Sequence, residues 1–159
     1  SKLDLTYSDL KGSEYENFFY NTITGIPSID LNLEKNVHNI NRKLVKNKFL
    51  KSANDCSDGG LITTLLEKCF IGNLGFEFTK PISKEKLVPT LFGECNSRIV
   101  ISADQNNKIN IERALSKSNV PFLWIGKVTE KNLKINNQIN INLTELKNKW
   151  STKLNHISH

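Results

Sequence analysis

A polar turn, Ser52-Ala53-Asn54-Asp55-Cys56-Ser57-Asp58-Gly59-Gly60, runs straight into an apolar stretch beginning at Leu61. That junction narrows the folds open to this chain more than any other part of it. It reads as the end of a strand, a tight turn and the start of a helix. Leu61, Leu65, Leu66 and Cys69 then share one helical face, the apolar stripe that a helix turns to a core. Asp58 stands where an N-cap belongs, its carboxylate in reach of first-turn N–H groups. Gly59 and Gly60 carry no Cβ, so another backbone or an anionic ligand can come close to the positive end of the helix.

Around this junction the periodicities define the remaining elements. Residues 1–29 read as an irregular lead-in broken by Gly12, Gly25 and Pro27, with Tyr15, Phe18, Phe19 and Tyr20 pinning it to a neighbouring surface. Asp30 precedes Leu33, Val37, Ile40 and Leu44, which predicts a helix over 31–48 with His38 beside the stripe, on the surface. Phe49 to Asn54 reads as a strand and Gly59 to Phe70 as the second helix. Phe76-Glu77-Phe78 alternates as a strand does. Pro81 to Pro89 is a connection with one helical turn at Lys84–Leu87. Ile99-Val100-Ile101-Ser102-Ala103 is apolar and β-branched throughout, the composition of a buried central strand. A third helix follows around Ile111 and Leu115, then a buried strand at Phe122–Ile125. Lys131–Leu143 folds back at Asn136-Asn137 as a hairpin. Thr144 caps a last helix through Lys153, with Leu146 and Trp150 on one face. The sum is one α+β domain over 1–159, a mixed β-sheet with helices packed on it.

Composition bounds the function classes. A chain of 159 residues suffices for one sizeable core. No run of about 18 apolar residues is present, so no membrane-spanning helix is expected. The net charge of +6 comes almost wholly from Lys scattered among Asn, without the aromatic interleaving that stacks on bases, so nucleic acid is not the expected partner. Cys56, Cys69 and Cys95 form no C-x-x-C pair, the pattern of reduced thiols in a cytoplasmic protein. The absence of Met, with an opening Ser1-Lys2-Leu3, points to a piece of a longer protein.

The usual catalytic constellations are not visible. The histidines are His38, His156 and His159, two of them in a terminal tail, so no Ser-His-Asp or Cys-His arrangement is expected. No metal-ligand spacing and no phosphate-binding glycine fingerprint occurs. Two polar clusters remain: Asp55 with Asp58-Gly59-Gly60, and Glu94-Cys95-Asn96-Ser97-Arg98. One reading has both facing a common cleft that holds an anionic or amide-bearing ligand, with Arg98 as its charge anchor. The other has Asp58 only capping its helix while Glu94 and Arg98 pair to pin a loop. The residues leave both open.

Those clusters carry a resemblance. "SANDCSDGGL", then "LFGECNSRIVIS" further on, resembles the C-terminal-type domain of the AIR synthase superfamily, and within it most the phosphoribosylformylglycinamidine (FGAM) synthase family. "LKGSEY", "GIPSIDLNLEKNV" and the Trp of "ELKNKW" resemble the second, last such domain of that family, so the likeness covers nearly the whole chain in order. It departs from the family's forms at Asn54, where His is usual, and at Cys95-Asn96, where Ser-Gln is usual.

The resemblance implies part of an ATP-dependent ligase of purine biosynthesis, which converts formylglycinamide ribonucleotide (FGAR) and glutamine-derived ammonia to FGAM. It implies ATP and Mg in the parent enzyme, none tightly bound to this domain, and catalytic groups on other domains. Asp55, Asp58, Gly59, Gly60, Glu94, Cys95, Asn96, Ser97 and Arg98 then line an auxiliary, degenerate nucleotide cleft or serve as scaffold. Implied partners are the sibling domains of the synthetase and a glutaminase domain or subunit, and an isolated domain is open to self-association. The competing reading is a stand-alone module that binds a phosphate-bearing metabolite or nucleotide.

Overall fold

The computed structural model describes residues 10–25 and 28–157, with the side chains of 153–157 outside the description. Expectations placed on residues 1–9, Pro27, the His156 side chain and His159 therefore lie outside the described residues. The elements run α1 (Glu14–Tyr20), α2 (Leu31–Lys46), β1 (Ser52–Asp55), α3 (Gly60–Gly72), β2 (Gly75–Phe78), α4 (Lys84–Phe92), β3 (Ile99–Ser102), α5 (Lys108–Ser116), β4 (Gly126–Thr129), β5 (Asn132–Ile135), β6 (Ile139–Asn142) and α6 (Leu143–Ile157). The class is α+β, as the sequence predicts. Its strands form two sheets rather than one, and the chain divides into two compact units, with boundaries after Thr64, Lys84 and Leu123.

The first unit comprises the chain up to Thr64 together with Glu85–Leu123. Its helix α2 forms where the spacing predicts it. Asp30 Oδ1 accepts from the N–H groups of Asn32 and Leu33, and Val37, Ile40 and Leu44 are buried on one face. Each such aliphatic side chain is worth about 1.5–3 kcal/mol of burial. Ile111 and Leu115 of α5 are buried as well. Strands β1 and β3 pair antiparallel with Asp55 opposite Ile99 and Ser52 opposite Ser102. The apolar run of β3 is half-buried at every residue, not a fully buried central strand, because β1 is its one paired neighbour among the described residues.

Two further expectations in this unit are corrected. The lead-in contains a helix, α1, whose N-cap Ser13 Oγ accepts from Glu16 N–H. Of its aromatic residues Tyr15 does the pinning, 5.1 Å from the Phe92 ring and 4.5 Å from Phe19, whereas Phe18, Phe19 and Tyr20 stay exposed. The connection before Gly93 is a full helix, α4, which carries Pro89 inside it. Pro89 lacks an N–H, but its carbonyl still accepts from Gly93 N–H at 3.0 Å and holds the last turn together.

The second unit comprises Leu65–Lys84 and the chain from Trp124 onward. Its sheet runs β4-β2-β5-β6. Pairing is antiparallel for β2–β4 and β5–β6 and parallel for β2–β5, so the sheet is mixed, as expected. The hairpin turns at Asn136, with Ile135 opposite Ile139. Asn136 takes a left-handed φ of 51° and clamps Ile82 from both sides, accepting from its N–H and donating to its carbonyl. The strand expected at Phe122–Ile125 instead begins at Gly126, because register with β2 sets Phe78 opposite Gly126. The cap of α6 is Asn142, whose Oδ1 accepts from Thr144 N–H at 2.9 Å, and not Thr144 itself. Trp150 meets the Phe70 ring edge to face at 5.8 Å.

Candidate functional site

The antiparallel ribbon places two loops side by side. Beyond the Asp55–Ile99 pair, Cys56 N–H donates to the Arg98 carbonyl at 2.9 Å. The turn leading to α3 and the loop leading into β3 therefore leave the same end of the ribbon together. Gly60 lets them close on each other: its φ is +68°, and a Cβ there would stand 2.7 Å from the Gly93 carbonyl oxygen. Any other residue would push the loops apart.

Between them and α2 lies a cavity of about 330 Å³. The first cluster contributes Asp55, Cys56, Ser57 and Asp58, and the second contributes Glu94, Cys95, Asn96, Ser97 and Arg98. Ile29, Ile99 and two residues of α2, Glu34 and His38, complete the lining. Gly59 and Gly60 are not part of the lining. Glu34 and His38 were not among the residues singled out from the sequence. Their signal is the i, i+4 spacing on α2, which puts a carboxylate and an imidazole on one helical face.

Much of the polar capacity of this cavity is used by the protein itself. Glu94 Oε1 accepts from Gly59 N–H at 2.8 Å and from Glu14 N–H at 2.9 Å. One carboxylate thus serves the first turns of two helices, where orphan amides and the helix dipole both favour a negative charge. Ser97, held at a left-handed φ of 61°, donates its hydroxyl to Glu34 Oε2. The other oxygen of Glu34 meets His38 Nε2 at 2.6 Å. These hydrogen bonds, from Ser97 first and then His38, hold the Glu34 carboxyl below its ordinary range. Arg98 Nη1 donates to the Gly93 carbonyl at 3.1 Å, and Asn96 Nδ2 to the Ser28 carbonyl at 2.9 Å. Ser57 Oγ donates to Asp55 Oδ2 at 2.8 Å.

Two expectations change here. Asp58 is not the cap of α3: the helix begins two residues on, at Gly60, and the Gly59 amide goes to Glu94. Arg98 is pinned by a backbone carbonyl rather than by Glu94. His38, read as a plain surface residue, is mostly exposed and yet borders the cavity. Burial raises the Cys56 thiol above its ordinary range, which disfavours the nucleophilic thiolate. Cys69 is buried on α3, outside the cavity lining, and its thiol is raised by burial too.

In charge the cavity is mainly acidic, with Glu34, Asp55, Asp58 and Glu94 set against Arg98. It can seat a ligand by side-chain hydrogen bonds, but it offers few uncommitted cationic donors.

The sequence profile of the family described as "AIR synthase related protein, C-terminal domain" matches residues 7–136. Among individual proteins, the chain is similar to the phosphoribosylformylglycinamidine synthase subunit PurL of Prochlorococcus marinus, 37% identical over 144 residues, which is 86% of this chain and 18% of that protein. It is similar to the subunit of the same name from Methanocaldococcus jannaschii, 31% identical over 155 residues, 91% of this chain and 20% of that protein. In fold it resembles Thermotoga maritima PurL complexed with ATP, with a TM-score of 0.66 and 18% identity, over 76% of this chain and 23% of that one. It also resembles the PurLQS structure from Thermotoga maritima, with a TM-score of 0.62 and 16% identity, over 84% of this chain and 24% of that one. The chain thus spans about a fifth of the length of the relatives it matches.

Proposed function

The chain belongs to the AIR synthase related C-terminal domain family, and on that premise we propose that it is one domain of a phosphoribosylformylglycinamidine synthase. That enzyme is the ATP-dependent ligase that joins glutamine-derived ammonia to FGAR, giving FGAM, in cytoplasmic purine biosynthesis. The observation that carries this reading is the sequence match to PurL subunits, at 37% identity over 86% of the chain. Its partners are the sibling domains of the same synthetase and a glutaminase domain or subunit.

Within that enzyme the domain acts as scaffold around an auxiliary cleft. Support comes from how the cavity is spent. Glu94 serves two helix starts, Ser97 and Glu34 hold each other, and Arg98 and Asn96 are tied to backbone carbonyls. A triphosphate needs several free cationic or amide donors. The Gly59 amide, the natural candidate at a helix start, is already taken by Glu94. Among the described residues no group of three or more His, Cys, Asp and Glu side chains is placed to hold a metal ion. The described residues of the cleft thus leave few of the free donors that a triphosphate needs. Asp55, Asp58, Glu94, Cys95, Asn96, Ser97 and Arg98 wall the cleft, and Gly59 and Gly60 shape it.

The test is ATP-dependent consumption of FGAR with glutamine or ammonia as nitrogen donor, comparing this chain with the full reading frame that contains it. Turnover is expected from the long form alone. Failure of both forms would overturn the assignment of the reaction.

A further inference from the structure

Helix α1 is a helix without a buried residue. Phe18 is 79% exposed, Phe19 60% and Tyr20 65%, and Ile23, just beyond the helix, is 69% exposed. The aromatic side chains of α1 form one connected surface. Tyr15 anchors it to Phe92, with Phe19 and Tyr20 at 4.5 and 6.5 Å from Tyr15 and Phe18 at 5.1 Å from Phe19. Glu16 folds the following loop back onto the helix, because its carboxylate accepts from the Thr24 N–H and hydroxyl and from Gly12 N–H. That returns the chain at Ile23-Thr24 to the helix. Large side chains bury about 150–250 Å² each, so the four leave on the order of 500 Å² of apolar surface in water, at the upper end of what monomeric proteins tolerate.

We propose that this α1 face is the docking surface for another domain of the same polypeptide. The inference rests on the reading of the chain as one part of a longer synthetase. Two observations select this occupant over a second copy of the chain. The relatives extend far beyond the matched region, which is 18% of the Prochlorococcus protein, so ample chain exists to cover the face. The area also fits: counted over both sides it is about 1,000 Å², within the roughly 600–1,500 Å² of interdomain interfaces. A stable complex between separate chains buries about 1,600 Å². A tethered neighbour meets the face at an effective concentration near millimolar and needs less. The partner face must be predominantly apolar, since Phe18, Phe19 and Ile23 offer it no side-chain hydrogen-bonding group.

Hydrogen exchange on the full-length protein tests this, read over residues 14–24 in the wild type and in F18E and I23E variants. The expected result is slow exchange in the wild type, accelerated at least tenfold in either variant, with an unchanged sedimentation mass. Fast exchange in the wild type overturns the proposal, because nothing then covers the helix. Slow exchange that is lost together with a halving of mass overturns it in favour of a second copy. Should F18E fail to fold, the wild-type rate and I23E still decide. Exchange reports docking and not turnover, so it stands apart from the FGAR assay.

Discussion

Glu94 shows why a polar residue in a cleft is not automatically a ligand contact. One of its two carboxylate oxygens, Oε1, accepts from the amides of Gly59 and Glu14, 35 and 80 residues away in sequence. A Glu94→Ala change would strand the half-buried Gly59 N–H, which costs about 1–3 kcal/mol, while the exposed Glu14 N–H would turn to water. The expected loss for Glu94→Ala is therefore about 1–2 kcal/mol. Glu94→Gln, which keeps an accepting oxygen but gives up the charge at two helix dipoles, should lose about half of that. Chemical denaturation without any ligand checks both. A residue serving only as a ligand contact would leave ligand-free stability unchanged, and that outcome would refute the double cap.

At the scale of elements, the sequence was most legible where periodicity and cap agree, as in α2, with its 33, 37, 40, 44 stripe behind Asp30. The hairpin at Asn136 was legible for the same reason, alternation on both sides of a residue that accepts positive φ. Elements went astray where a partner decides the outcome. The Ile99–Ile101 run has the composition of a central strand but a single paired neighbour, and β4 starts where β2 sets its register. Helix α1 was hidden by its flanking glycines, although Ser13-x-x-Glu16 is a capping-box pattern. In the site, the loop clusters announced themselves through their turns. Glu34 and His38 did not, because tertiary packing brings α2 to residues more than sixty positions away. The end of α2 also carries a correctable local conflict. Lys48 sits at a left-handed φ of 57° while Phe49 N–H closes onto the Leu44 carbonyl at 3.1 Å, the geometry that glycine normally supplies. Lys48→Gly should therefore stabilise by about 0.5–1 kcal/mol, despite the added freedom of glycine when unfolded. Thermal unfolding would show it as a Tm higher by about 1–4 °C, and a lowered Tm would mean that the Lys48 side chain contributes more than its backbone costs.

For the whole molecule, the question is whether two compact units behave as one domain. The chain passes between them three times, after Thr64, Lys84 and Leu123, and the first of these passages lies inside α3. That helix is buried on both sides of the boundary, at Leu61 and Ile62 before it and at Leu65, Leu66, Cys69 and Phe70 after it. Melting either unit would remove the packing of half a helix, and a helix of 13 residues is marginal in water without tertiary support. The units should accordingly unfold in one cooperative step. Calorimetry on the 159-residue chain should give a single transition of about 110 kcal/mol near 60 °C, at roughly 0.7 kcal/mol per residue, with calorimetric and van't Hoff enthalpies equal. Leu44 in the first unit and Leu133 in the second are both almost fully buried. Leu44→Ala and Leu133→Ala should each cost about 2–5 kcal/mol and displace that same transition. Two separate peaks, with each substitution moving only its own, would instead mean that the helix breaks at the boundary and that the chain holds two independent domains.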